Sequence, residues 1–303
     1  MTNRTLPYVN AYGTVDISTA TNVEEALNMS GLNWDVVPNY IYDANGNMIE
    51  GFRANTNSET GDVLGITSKK YHVVQNREAF EFVNNLTTDT NFKFDSAGCF
   101  RNGKSIWLMG HLDDVDINGD EVNTNIVFVN SHDGSSGVKV LMTPTRVICS
   151  NMLNLATRQA ERSWKSRHTV NFNQRYIEAA NTFGLATNYI NALKEEADIL
   201  AQETITLNQI HEIFEIMFPV NAETTERKLR TINEFKDNFM HCYNAQDLVR
   251  FRNTKWGAVN AMADLIDHKE ANRRTENYYS NHWNNLINGE SHKDEFYRMI
   301  KGV

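Results

Sequence analysis

The chain has 303 residues, 41% of them hydrophobic and 22% charged, with aromatics spread along its length. That composition excludes wholesale disorder and leaves room for one large domain or two modest ones. A formal net charge of −9 excludes a protein that coats DNA by overall charge, but not a local basic face.

In chain order, residues 1–62 are rich in Asn, Thr and Gly, and "DANGN" at 43–47 predicts a hairpin turn because Asn-Gly readily takes positive φ. "VLGITSKKYHVV" from Val63 predicts a strand. "REAFEFVNNL" predicts a helix after a cap at Asn76, with Ala79, Phe80, Val83 and Leu86 on one face. "FKFDSAGCF" and "SIWLMGHL" predict two strands joined around "RNGK". "TNIVFVN" is apolar on both faces and predicts a fully buried strand, and "GVKVLM" predicts the next. Thr143-Pro144 then suits a helix start, with proline at the first helical position. From about residue 172 the pattern is helical, including "RYIEAANTFGLATNYINALKEEADILAQE", a helix punctuated by Pro219, and "KWGAVNAMADLIDH".

The expected architecture is α+β. An antiparallel sheet with packed helices, a β-α-β-β-β-β-α core over residues 63–170, is followed by a helical C-terminal region, 171–303, and preceded by a strand- and turn-rich segment, 1–62. The connections are hairpin-short, so the strands must run antiparallel.

"NSHDGSS" places His132, Asp133 and Ser135 side by side. Neighbouring side chains on extended backbone point opposite ways, and no G-x-S-x-G elbow is present, so the stretch reads as a turn into a strand rather than a catalytic set. "DVDINGDEVNTN" matches the first half of a calcium loop at Asp114, Asp116, Asn118 and Gly119. Asn125 stands where the bidentate acid belongs, which favours a hairpin turn. Cys99, Cys149 and Cys242 are far apart, with no C-x-x-C, against a disulfide framework or a cysteine zinc site. His268, His282 and His292 form no metal-binding pair, and neither a P-loop nor G-x-G-x-x-G occurs, so no cofactor and no metal are expected. No run reaches the roughly 18 apolar residues of a membrane span, which gives the expectation of a soluble, cytoplasmic protein with no membrane partner.

The charge pattern is more informative. Between Pro144 and Arg175 there are six basic residues against the single acid Glu161. On a helix over 152–167, Leu153, Ala156, Ala160 and Trp164 share one face, while Arg158, Arg162 and Lys165 lie opposite. With Arg146 and Arg167, with Lys139, Arg101 and Lys104 across a groove, and with Lys69 and Lys70 as a second basic cluster, this is a set suited to phosphates, with Trp107 and Tyr71 as nearby aromatics.

The blocks "LGITSKKYHVVQNREAFEFVNNL", "FVNSHDGSSGVKVLMTPTRVICSNMLNLA" and "KWGAVNAMADLIDH" resemble the phage/plasmid-like protein family, a domain family of unknown function from phages, prophages and conjugative plasmids. The resemblance runs from about Val63 to the C-terminus and implies a bacterial cytoplasmic, mobile-element setting, without catalytic residues to carry over. The topology of residues 77–165 also resembles single-strand annealing proteins of the RecT and beta-protein type. That resemblance implies subunits joined into rings or filaments, with single-stranded DNA in a basic groove. The expected function is therefore single-stranded DNA binding and annealing in phage or plasmid recombination, by a non-enzymatic homo-oligomer. The alternative is a phage protein that binds and inhibits a host defence complex through its acidic surface. A third reading, an enzyme built on His132, Asp133 and Cys149, stands behind both.

Overall fold

The computed structural model describes residues 14–89, 91–146, 163–168, 182–268 and 291–302, with the isolated positions 278, 281 and 285. It is an α+β fold of antiparallel sheets with a helical C-terminal region. The main sheet has six strands in the order β1 (Val15–Asp16), β5 (Lys93–Phe100), β6 (Ser105–His111), β9 (Asn125–Ser131), β10 (Val138–Met142) and β12 (Ser163–Ser166), each antiparallel to its neighbours.

Both faces of this sheet are buried, as the unbroken apolar run of β9 requires. Ile106, Leu108, Ile126, Phe128, Val138 and Val140 project to one side. There they join the main core with residues of α1 (Val23–Met29), α2 (Asn76–Phe80) and α3 (Val83–Asp89). Phe82, between the last two helices, meets Phe128 edge-on with ring centroids 5.4 Å apart. The other face carries a second cluster, Phe100, Trp107, Met109, Val127, Val129 and Leu141.

The segment before Val63 is integral to the fold. β1 pairs with β5, while β2 (Val36–Asn39) pairs with β3 (Phe52–Asn57) and β3 with β4 (Val63–Ser68) in a three-stranded sheet of order β2-β3-β4. Gln75 caps the outer edge of β2. Its side-chain oxygen accepts from the Val36 N–H at 2.8 Å, and its amide donates to the Val36 carbonyl at 3.0 Å. At the expected calcium-like loop, β7 (Val115–Ile117) and β8 (Asp120–Asn123) form a hairpin. Asn118 and Gly119 both have positive φ, and the Gly119 N–H donates to Asp116 at 3.1 Å.

The expected helix starting at Pro144 is corrected where the chain is described. Thr145–Arg146 is a strand, β11, paired with β8, and Ser163–Ser166 is the edge strand β12 paired with β10. A strand at this place satisfies backbone groups that β10 would otherwise leave unpaired, which outweighs local helical periodicity. Trp164 and Lys165 are separated by about 100° on a helix and lie on opposite faces of a strand, so this pair points apart in either conformation and could not distinguish the two.

The helical region comprises α4 (Thr182–Gln202), α5 (Leu207–Met217), α6 (Glu226–Tyr243), a 3-10 turn (Gln246–Phe251), α7 (Lys255–His268) and α8 (His292–Ile300). Thr206 and Ser291 cap α5 and α8 through capping boxes. Lys293 of α8 and Asp267 of α7 form a fully buried ion pair at 2.9 Å.

Candidate nucleic-acid interface

Four stretches of chain meet at one end of the central sheet: the turn after β4, the β5–β6 turn, the β9–β10 turn and the exit of β12. Their contacts are specific. The Tyr71 hydroxyl lies 3.0 Å from the Ser131 carbonyl and contacts His168 Nδ1. The His132 N–H donates to the Lys104 carbonyl at 2.8 Å, and the Asn55 amide donates to the His132 carbonyl at 2.8 Å. Gly65 abuts Asp133 so closely that a Cβ there would lie 2.4 Å from the Asp133 Cα, and a Cβ on Gly137 would lie 1.8 Å from the Ser166 carbonyl oxygen. Glycine at these two positions is what lets the layers touch.

The backbone of this end is shaped for tight turns. Arg101, Asn102 and Gly103 all have positive φ, as does Gly134. Asp133 accepts the Ser135 N–H at 2.9 Å in an Asx turn and receives the Arg101 guanidinium at 3.1 Å.

Beneath the turns lies a buried polar layer. Asn76 donates its amide to the Leu32 carbonyl at 2.8 Å, so its side-chain oxygen faces His132 Nε2, also at 2.8 Å. His132 Nε2 must therefore carry the proton, which leaves Nδ1 a bare lone pair. That nitrogen and His168 Nε2 are both buried without a hydrogen-bond partner. Burial pushes the His132 pKa down to about 3 and that of His168 to about 4, each lowered further by a neighbouring histidine, so both rings are neutral at pH 7. Desolvation also raises the Tyr71 hydroxyl well above its usual range. His132 is thus turned toward Asn76, and Asp133 toward Arg101 and its own turn. Among the described residues no group of three His, Cys, Asp or Glu side chains is placed to hold a metal ion.

The residues singled out for phosphate contact divide into three sets. Lys69, Lys70, Arg101, Lys104 and Arg167 come together at this sheet end. Lys69, Lys70 and Arg167 are exposed, Lys104 is half-buried, and Arg101 is paired with Asp133. Lys139 and Lys165 face each other in register on adjacent strands, on the same face as Trp107. Lys139 is nearly buried and Lys165 is exposed. Arg146 is not with them: its strand pairs with the β7–β8 hairpin, at the opposite end of the central sheet. Arg158 and Arg162, with Cys149, lie outside the described residues. Lys165 and Arg167 therefore do not share a helical face; they belong to a strand and its exit.

Sequence reasoning took Asn76 as the helix cap, a place that Gln75 holds with Asn76 first in the helix, and brought neither Asn76 nor His168 into this layer. Neither stands in a motif, and the signal available was only that each is a polar residue flanking an apolar run.

Among the described residues no helix is long and apolar enough to cross a membrane. A family described as a domain of unknown function, DUF932, matches residues 63–286. No curated protein and no solved structure matches the chain.

Proposed function

The chain belongs to the DUF932 family, and on that footing we propose that it binds single-stranded DNA non-enzymatically at the basic end of its central sheet and promotes strand annealing. The observation that carries the reading is the convergence of Lys69, Lys70, Lys104 and Arg167 from distant parts of an acidic chain. Distant basic residues gathered at one place make a local positive field even when the net charge is negative. Contacts of ammonium and guanidinium groups with phosphates are independent of base sequence, which suits a protein that handles arbitrary strands. The phage or plasmid setting rests on the sequence blocks quoted above. Assembly into a ring or filament, in the bacterial cytoplasm, would follow from the annealing role.

The test is fluorescence anisotropy with a labelled single strand and the matching duplex, over a salt series, beside an assay of complementary-strand annealing. We compare the parent with a Lys69→Ala/Lys70→Ala/Arg167→Ala variant. These three side chains are exposed, so their truncation should leave the melting temperature near that of the parent. Each lost phosphate contact on single-stranded DNA should flatten the log–log salt slope by about 0.7, or roughly two for all three. A parent without measurable single-strand affinity at low salt removes the reading and leaves a host protein as the partner to seek. An unchanged slope in the variant moves the site elsewhere.

A further inference from the structure

Of the fourteen exposed large hydrophobic residues in the described chain, eight lie between Val37 and Ile66. That concentration is too local to be the ordinary scatter of surface apolar groups. Cross-strand register brings four of them together. Val37, Thr56 and Val63 are in register, as are Ala54 and Ile66, and Phe52 stands beyond Ala54 on β3, so these side chains project from one face of the β2-β3-β4 sheet. The opposite face carries Asn55, Gly65 and Thr67 toward the β9–β10 turn. On the outer face Ile66 is 60% exposed, Val63 53% and Phe52 48%. Tyr40 belongs to the other side: its ring lies 4.1 Å from the Arg53 guanidinium, and Arg53 alternates with Phe52 on β3.

We infer that this sheet face is the contact between two copies of the chain. Val37, Phe52, Val63 and Ile66, each about half exposed, present on the order of 400 Å², the apolar centre of an interface in which each partner brings about 800 Å² and the remainder is a polar rim. The charges around the face are arranged end to end. Lys69 and Lys70, with Glu50, lie at the end where Phe52 pairs with Ser68. Glu59 and Asp62 lie at the other, in the β3–β4 turn. A two-fold axis between two stacked sheets, perpendicular to the strands, reverses strand direction in the second copy. It thereby sets Lys69 and Lys70 of one copy over Glu59 and Asp62 of the other. Isologous contact requires such self-complementarity, and face-to-face packing of sheets at about 10 Å gives it a known geometry. Because Lys69 and Lys70 are also among the proposed phosphate contacts, association is measured without nucleic acid, so that failure of this inference and failure of DNA binding are told apart.

Light scattering and sedimentation of the full chain at micromolar concentration test it. The parent should be dimeric or a multiple of dimers, and Ile66→Glu should weaken association on the order of 100-fold, as loss of a central apolar contact does. Circular dichroism checks that the variant is folded. A second pair of variants tests the pairing without touching the apolar centre. Glu59→Lys/Asp62→Lys and Lys69→Glu/Lys70→Glu should each self-associate more weakly, and their mixture should recover association. A monomeric parent overturns the inference. So does a parent whose association survives Ile66→Glu in a folded variant, or charge variants that neither weaken alone nor recover when mixed.

Discussion

Acidification from pH 7 to pH 5 should cost this fold about 4 kcal/mol through two histidines. His132 and His168 are almost fully buried, with pKa values pushed down from the ordinary 6.5 to about 3 and about 4. Asn76, Tyr71, Asp133 and His72 are among the polar groups around them, and desolvation is the first cause of both shifts. In the unfolded chain both rings take a proton near pH 6.5. A folded pKa depressed below the unfolded one means stability present above pH 6.5 and lost as pH falls toward 4 and 3. At pH 5 the unfolded state is about 1.5 units below its own pKa while the folded state has barely begun to bind protons. Each histidine therefore gives up about 2 kcal/mol relative to pH 7. Against a total stability of roughly 5–15 kcal/mol, two such terms bring the fold close to its limit. Urea unfolding at constant ionic strength, at pH 7, 6 and 5, measures the loss. A His132→Gln variant starts less stable but should lose only about half as much over the same range, since one of the two titrations is gone. A loss below about 1 kcal/mol in the parent, or an equal loss in parent and variant, would refute the reasoning.

Further outcomes follow from packing and exposure. Lys293→Met leaves Asp267 charged and buried, and should cost about 3–5 kcal/mol, while Lys293→Met with Asp267→Leu should regain most of it; chemical denaturation reads both. Gly137→Ala forces a methyl into the Ser166 carbonyl, which neither backbone can easily yield, so it should lower the melting temperature and raise hydrogen exchange in β12 more than in β6. Asn76→Ala removes the acceptor for the His132 Nε2 proton and the donor to Leu32, and should cost about 1–3 kcal/mol by equilibrium unfolding. A conservative exchange at exposed Lys70 in the same assay should move stability by less than about 0.5 kcal/mol.

Much of the scaffold was legible in the residues alone. Strand periodicity marked β4, β5, β6, β9 and β10, and the apolar run of β9 announced burial on both faces. The Asn-Gly pairs at Asn118 and in 43–47 gave their hairpins, and "KWGAVNAMADLIDH" coincides with α7. These are local signals, set by side-chain alternation, turn chemistry and the 3.6-residue repeat. Where the deciding partner is remote in sequence, periodicity was silent or misleading. The segment around Trp164 became a strand because β10 offered an unpaired edge. Arg146 went to the far end of the sheet because β8 claimed its strand. His168 reached Tyr71, and Asn76 reached His132, only through the closing of the sheet end on glycines 65 and 137. Charge is the same case: the sequence by itself showed which residues are basic, and a helical wheel put Lys165 on a helix where the chain forms a strand. Which of them stand together was decided by strand pairing, because Coulombic fields depend on distance in space and the chain carries no local record of that distance.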